Sequence, residues 1–186
     1  DLVFSNSQNH YESPPVYVYR TPIGSGRPAQ LPADGAWTGT VHDLNGDGAP
    51  ELVIGMWENG VTQELNAAIY YGTAEGWSER AVQRLPVPAC TSVAAGDFDG
   101  DGRPEVAFAS RGVLRVFSQT AFGFEPTAHV TLDVPADQLD AADLDGDGLP
   151  DLVVRAPDGR VTVLWGSRAG LSPRSTTPVP VAPEAA

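Results

Sequence analysis

The chain has 186 residues, a formal net charge of -13 and a pI near 4.4. That length builds one sizeable core rather than two large domains, and the acidity leaves no basic patch for nucleic acid, whose phosphates a bare acidic surface repels. The lone Cys90 excludes an internal disulfide, and no apolar run reaches the ~20 residues of a membrane-spanning helix.

The predicted elements are short strands joined by tight turns. With 20 Gly and 17 Pro, turn residues interrupt almost every ten-residue window, which argues against long helices. Asp1-Leu-Val-Phe4 matches Asp151-Leu-Val-Val154, and Tyr17-Val-Tyr19-Arg20 is the second strand of a partial unit over 1–42. The first acidic loop is Asp43-Leu-Asn45-Gly-Asp47-Gly-Ala-Pro-Glu51. A buried strand, Glu51-Leu-Val-Ile-Gly, follows, then a strand ending Ala68-Ile-Tyr-Tyr71-Gly72, a turn at Gly76-Trp77 and a third strand within 79–87.

Ser92-Val-Ala-Ala-Gly96 leads into the second loop, Asp97-Phe-Asp99-Gly-Asp101-Gly-Arg-Pro-Glu105. The same series repeats with Glu105-Val-Ala-Phe-Ala, Leu114-Arg-Val-Phe117, Gly123-Phe124 and a strand within 126–134. Gln138-Leu-Asp-Ala-Ala142 leads into the third loop, Asp143-Leu-Asp145-Gly-Asp147-Gly-Leu-Pro-Asp151. Asp151-Leu-Val-Val, Val161-Thr-Val-Leu-Trp165-Gly166, Gly170-Leu171 and a strand within 172–180 complete it. Repeats therefore begin near 43, 97 and 143. Four short strands per unit of about fifty residues predict an all-β fold, a β-propeller segment of about four four-stranded blades in an incomplete or open arc. The blades are expected over 1–175, with a Pro-rich tail at 176–186 that carries Pro178, Pro180 and Pro183.

Eleven of the 24 acids lie in the three loops, so the acidity is local chemistry. Oxygen-bearing side chains recur at loop positions 1, 3, 5 and 9, a donor set suited to a hard cation that takes six to eight oxygens in irregular geometry. Calcium fits better than magnesium, which demands strict octahedral geometry. The predicted ligands are Asp43, Asn45, Asp47 and Glu51; Asp97, Asp99, Asp101 and Glu105; and Asp143, Asp145, Asp147 and Asp151. The carbonyls of Ala49, Arg103 and Leu149 are the expected backbone ligands, each aimed by the proline that follows. Three calcium ions are expected, and Asp1 is expected to be the remnant ligand of a fourth loop.

An EF-hand shares the opening of this motif but needs an acid at position 12, where these loops have Ile54, Phe108 and Val154. The nonapeptide spacing of parallel β-helices is absent. Plain Asx turns are the bland alternative, and three copies of four crowded carboxylate positions weigh against them.

The runs Ser92–Val106 and Asp143–Pro157 resemble the FG-GAP/VCBS repeat family, which includes integrin α-subunit propeller blades and many bacterial surface and secreted proteins. The resemblance covers almost the whole chain. It implies a calcium-binding propeller that is secreted or at the cell surface, extracellular or periplasmic. Two features depart from the family pattern. Its Phe-Gly…Gly-Ala-Pro element is only partly present, as Arg155-Ala156-Pro157, and the unit count is below the seven of complete rings.

Nothing else in the sequence forms a site. His10, His42 and His129 are scattered without metal-ligand spacing, and Cys90 reads as a small buried hydrophobe. Trp57, Trp77 and Trp165 with Tyr70 and Tyr71 could stack on sugars, but Trp77, Phe124 and Leu171 occupy equivalent places, which favours packing. Pairs such as Asp47 and Glu51 are committed to the cation rather than to glycoside hydrolysis. With Met56 the only methionine and no visible signal peptide, the chain is expected to be a processed product or a piece of a longer protein. The expected function is an extracellular scaffold or adhesion module, with no catalytic residue and with a protein or glycan partner on a propeller face. The alternative is part of a propeller-type polysaccharide lyase.

Overall fold

Every regular element among the described residues is a β-strand, as the density of Gly, Pro and short apolar runs requires. The computed structural model describes residues 1–6, 14–22, 26–172 and 176–179. His10 and the last prolines, Pro180 and Pro183, lie outside them. The chain divides into two units, Asp1–Thr91 and Ser92–Ala186.

In the first unit, β1 (Leu2–Phe4), β2 (Val16–Tyr19) and β3 (Ala29–Leu31) form a three-stranded antiparallel sheet in sequence order. A second sheet follows the same meander through β4 (Ala36–His42), β5 (Glu51–Met56), β6 (Ala67–Tyr70) and β7 (Val82–Leu85). Strand β5 is buried along its whole length, as its unbroken apolar run predicts, whereas β4 alternates and is exposed on one face. Val16, Val18, Leu31, Leu52, Ile54, Met56 and Tyr70 share one core. Full burial of a side chain such as Leu52 or Ile54 stabilises the fold by roughly 1.5–3 kcal/mol. That burial anchors the strand whose first residue, Glu51, is the last residue of the acidic loop.

In the second unit, β8 (Cys90–Gly96), β9 (Glu105–Ser110), β10 (Val113–Phe117) and β13 (Val130–Leu132) form one sheet. Between β10 and β13 a small hairpin, β11 (Gln119–Thr120) and β12 (Gly123–Phe124), occupies what the sequence reads as a plain turn. The β9–β10 connection is the two-residue turn Arg111-Gly112, with φ of 52° and 74°. Both positive angles suit the twist of a hairpin, and Gly112 takes its angle without steric cost. The last sheet contains β14 (Gln138–Ala142), β15 (Asp151–Arg155), β16 (Val161–Leu164) and β17 (Thr176–Val179). Ala94, Phe98, Leu114, Val116, Leu132, Leu152, Leu164 and Leu171 share a core.

Three four-stranded sheets and one of three strands are the blades of a β-propeller segment, as the fifty-residue period predicts. Two expectations change. The predicted tail at 176–186 begins inside a blade, because Thr176–Val179 pairs with β16 along its length. Proline is tolerated there because β17 is an edge strand, where the backbone of Pro178 lies opposite Thr162 without a further ladder to serve. Each four-stranded sheet also straddles its acidic loop, since the strand before the loop lies beside the strand after it. The partial unit 1–42 therefore gives its last strand, β4, to the next blade.

Candidate metal centre

Each acidic loop connects the first and second strands of a blade: β4 to β5, β8 to β9 and β14 to β15. Its shape follows from side chains that accept the loop's own backbone N–H groups. In the first loop the Asp43 carboxylate accepts from Gly46 at 2.9 Å and from Gly48 at 3.0 Å. Asp143 accepts from Gly146 and Gly148 in the same way, at 2.7 and 3.0 Å. In the middle loop Asp97 accepts from Asp101 and Gly102 at 3.0 and 2.9 Å. Position 3 accepts from the N–H two residues on: Asn45 from Asp47, Asp99 from Asp101 and Asp145 from Asp147. Position 5 repeats this at 2.8 Å in all three loops, with Asp47, Asp101 and Asp147 accepting from Ala49, Arg103 and Leu149. Positions 3 and 5 make successive Asx turns through one side-chain oxygen each, while both oxygens of the position-1 aspartate accept from the loop's own backbone.

The acid at position 9 stands apart, because it is the first residue of the buried strand. Glu51, Glu105 and Asp151 are 0%, 5% and 1% exposed. Each accepts the N–H of loop position 2, from Leu44, Phe98 and Leu144 at 2.8, 3.0 and 2.9 Å. Glu51 and Asp151 also accept an N–H from the glycine after the blade's third strand, Gly72 at 3.2 Å and Gly166 at 2.9 Å. These glycines are required by close approach. A Cβ on Gly72 would lie 2.4 Å from the Ala49 and Pro50 carbonyl oxygens, and one on Gly166 would lie 2.4 Å from that of Pro150. Asp1 takes the same bond in the first sheet, accepting from Thr21 N–H at 2.9 Å.

The middle loop lacks the second of these bonds. Gln119 stands where Gly72 and Gly166 stand, two residues after the strand partner of the residue that follows the position-9 acid, and among the described residues Glu105 accepts one backbone N–H, from Phe98. Burial pushes the Glu105 carboxyl up to about 7 from an ordinary 4.5, and the neighbouring charges of Asp99, Asp97 and Asp101 add to the rise. A cleft of about 50 Å³ opens beside it, lined by Asp99, Glu105, Ser118 and His129 among others. A basic group stands at the same loop, where Arg168 donates from Nη1 to the Gly100 carbonyl at 2.5 Å.

The structure brings Asp97, Asp99 and Asp101 together, with one oxygen of each within 4.8 Å of the others, and likewise Asp143, Asp145 and Asp151. Each of these two clusters could hold a metal ion. The first loop holds a different arrangement. Asn45 donates from Nδ2 to Asp47 at 3.0 Å and to Glu51 at 3.4 Å, so an N–H group faces two carboxylates where the other loops have an oxygen.

Sequence reasoning missed a second repeated motif. Thr73, Thr120 and Ser167 each donate their hydroxyl to the carbonyl of the glycine three residues on, Gly76, Gly123 and Gly170. The signal was present as Ser/Thr-x-x-Gly just after each third strand. The residues that follow the turn glycines behave as packing elements. Phe124 and Leu171 are buried, and Trp77 packs against the first core while donating to the Pro50 carbonyl at 2.7 Å.

The model of the FG-GAP-like repeat matches residues 43–108 and 97–154, which together contain all three loops. The chain is also similar to integrin alpha-PS3 of Drosophila melanogaster, with 26% identity over 149 residues. That match covers 67% of this chain and 13% of the relative, so the chain spans a small part of the protein it resembles. The repeat match, the three loops and the blades that carry them agree: the chain belongs to the FG-GAP-like repeat family.

Proposed function

We propose that this chain is a calcium-stabilised propeller segment that serves as an extracellular scaffold or adhesion module. The carrying observation is the convergence of Asp97, Asp99 and Asp101 next to the loop's buried Glu105, and of Asp143 and Asp145 with the buried Asp151, each buried acid heading a core strand. The proposed side-chain ligands are positions 1, 3, 5 and 9 of each loop, and the proposed backbone ligands are the Ala49, Arg103 and Leu149 carbonyls. Calcium supplies the positive charge that lets these carboxylates stay ionised at short range. The chain supplies the fixed end of the clip, because Glu51, Glu105 and Asp151 are held by N–H bonds and by strand burial. An extracellular role is supported by the likeness to an integrin α chain, and a protein or glycan on a propeller face is the kind of partner it suggests.

Calcium titration by calorimetry, combined with thermal melting in calcium and in excess chelator, tests this reading. Metal that binds only the folded state adds RT ln(1 + [L]/Kd), about 2.7 kcal/mol per site at a hundredfold excess over Kd. Melting is expected to fall by roughly 10 °C or more in chelator. An unchanged melting temperature together with no heat of calcium binding sinks the proposal.

A further inference from the structure

The first loop differs from the other two at one atom. Position 3 is Asn45, and its side chain is used at both ends: Oδ1 accepts the Asp47 N–H at 2.9 Å, and Nδ2 donates to the carboxylates of Asp47 and Glu51. These are the charges a cation would otherwise hold together. Asp99 and Asp145 make the same Oδ1 bond, at 3.0 Å each, and have no N–H to offer to their neighbours. Hydrogen bonds from a neutral donor to a carboxylate are stronger than neutral pairs, and bare carboxylates at this range repel. To offer oxygen alone, the Asn45 amide must turn and release both acids.

We infer that Asn45 is a built-in substitute for the cation, so that loop 43–51 stays wound without metal while loops 97–105 and 143–151 depend on it. The contrast with the other loops rests on the proposed calcium reading, but the role of Asn45 does not, since its bonds are made within the chain. The consequence is graded metal dependence. Calcium must displace an internal donor in the first loop, so this loop binds it more weakly than the other two and gains less order from it.

Hydrogen exchange of the whole chain, read by mass spectrometry in chelator and in calcium, tests this. In chelator, peptides over 43–51 are expected to exchange about tenfold more slowly than those over 97–105 and 143–151. Equal exchange in all three loops overturns the inference without any variant. Asn45→Asp is expected to speed exchange over 43–51 about tenfold in chelator and leave the core peptides of β5 unchanged. If the variant loop stays as slow as the wild type, Asn45 is not the substitute. Calcium is then expected to slow the Asn45→Asp loop again. A loop that opens in chelator and is not restored by calcium supports the role of Asn45 and counts against the calcium reading instead.

Discussion

The loops at 43–51 and 97–105 have the same motif on the same kind of blade, yet they meet the repulsion between their acids in opposite ways. In the first, Asn45 bonds to two of the carboxylates, and Glu51 accepts N–H groups from both Leu44 and Gly72. In the middle loop position 3 is a third aspartate, and Glu105 accepts one N–H while burial and three neighbouring aspartates raise its carboxyl to about 7. Two small sequence differences, Asn for Asp at position 3 and Gly for Gln after the third strand, separate a loop whose acids are compensated from within from one whose acids are not.

Exchanging the position-3 residue is the strongest way to break this comparison. Asp99→Asn puts an amide into the middle loop and removes the charge that most raises Glu105 among its neighbours. In chelator it is expected to raise the melting temperature by several degrees, since about 1 kcal/mol shifts a domain of this size by roughly 2–4 °C. In calcium the sign reverses, because a ligand charge has been lost and affinity at that site falls. A variant less stable than wild type under both conditions would break the argument that repulsion dominates the empty loop. Melting curves with and without chelator read both signs.

The next effect is on pH. The folded Glu105 value of about 7 lies above its ordinary 4.5, so the folded chain holds this proton more tightly than the unfolded chain. The contribution is full below about 4.5 and is lost as pH rises through about 7. Without metal, stability due to this group should therefore fall between those values. Bound calcium favours the ionised form, so saturating calcium should flatten or invert that slope. Glu105→Gln should remove the metal-free slope, and the difference between variant and wild-type melting across this window measures it.

Much of this was legible in the sequence because both signals repeat. The loop motif and the apolar run after it occur three times, so loops, buried strands and blades could be placed before any coordinates. What was not legible depends on direction and proximity. Asn45 was readable as an oxygen donor, and only the structure shows its Nδ2 turned toward Asp47 and Glu51. The sequence reads 172–180 as a last strand and the residues from Thr176 also as a Pro-rich tail; a missing N–H costs nothing on an edge strand, so the strand reading holds at β17. The hairpin β11–β12 was hidden because its two-residue strands are too short to show alternation. The bonds from Gly72 and Gly166 to the position-9 acids join residues 21 and 15 apart in sequence, a pairing fixed by sheet register and invisible to local pattern.

The smallest predicted effect sharpens the comparison most. At Gly72 and Gly166 a side chain would collide with the carbonyls of the acidic loop, and without one the backbone N–H bonds to the acid. Gln119 carries a Cβ at the corresponding place, which accounts for the missing bond to Glu105. Gln119→Gly, which also gives up the Nε2 bond to the Pro104 carbonyl, should let the chain close in and supply the second N–H. The gain is about 1 kcal/mol for one hydrogen bond, offset in part by the backbone entropy of glycine. The net change in melting is therefore expected to be at most a few degrees in chelator. The sharper readout is the Glu105 carboxyl itself, titrated by carbon-detected NMR without metal, which should move down toward its ordinary range. A titration unchanged from wild type would mean that burial and the three aspartates, not the lost N–H, set the middle loop apart.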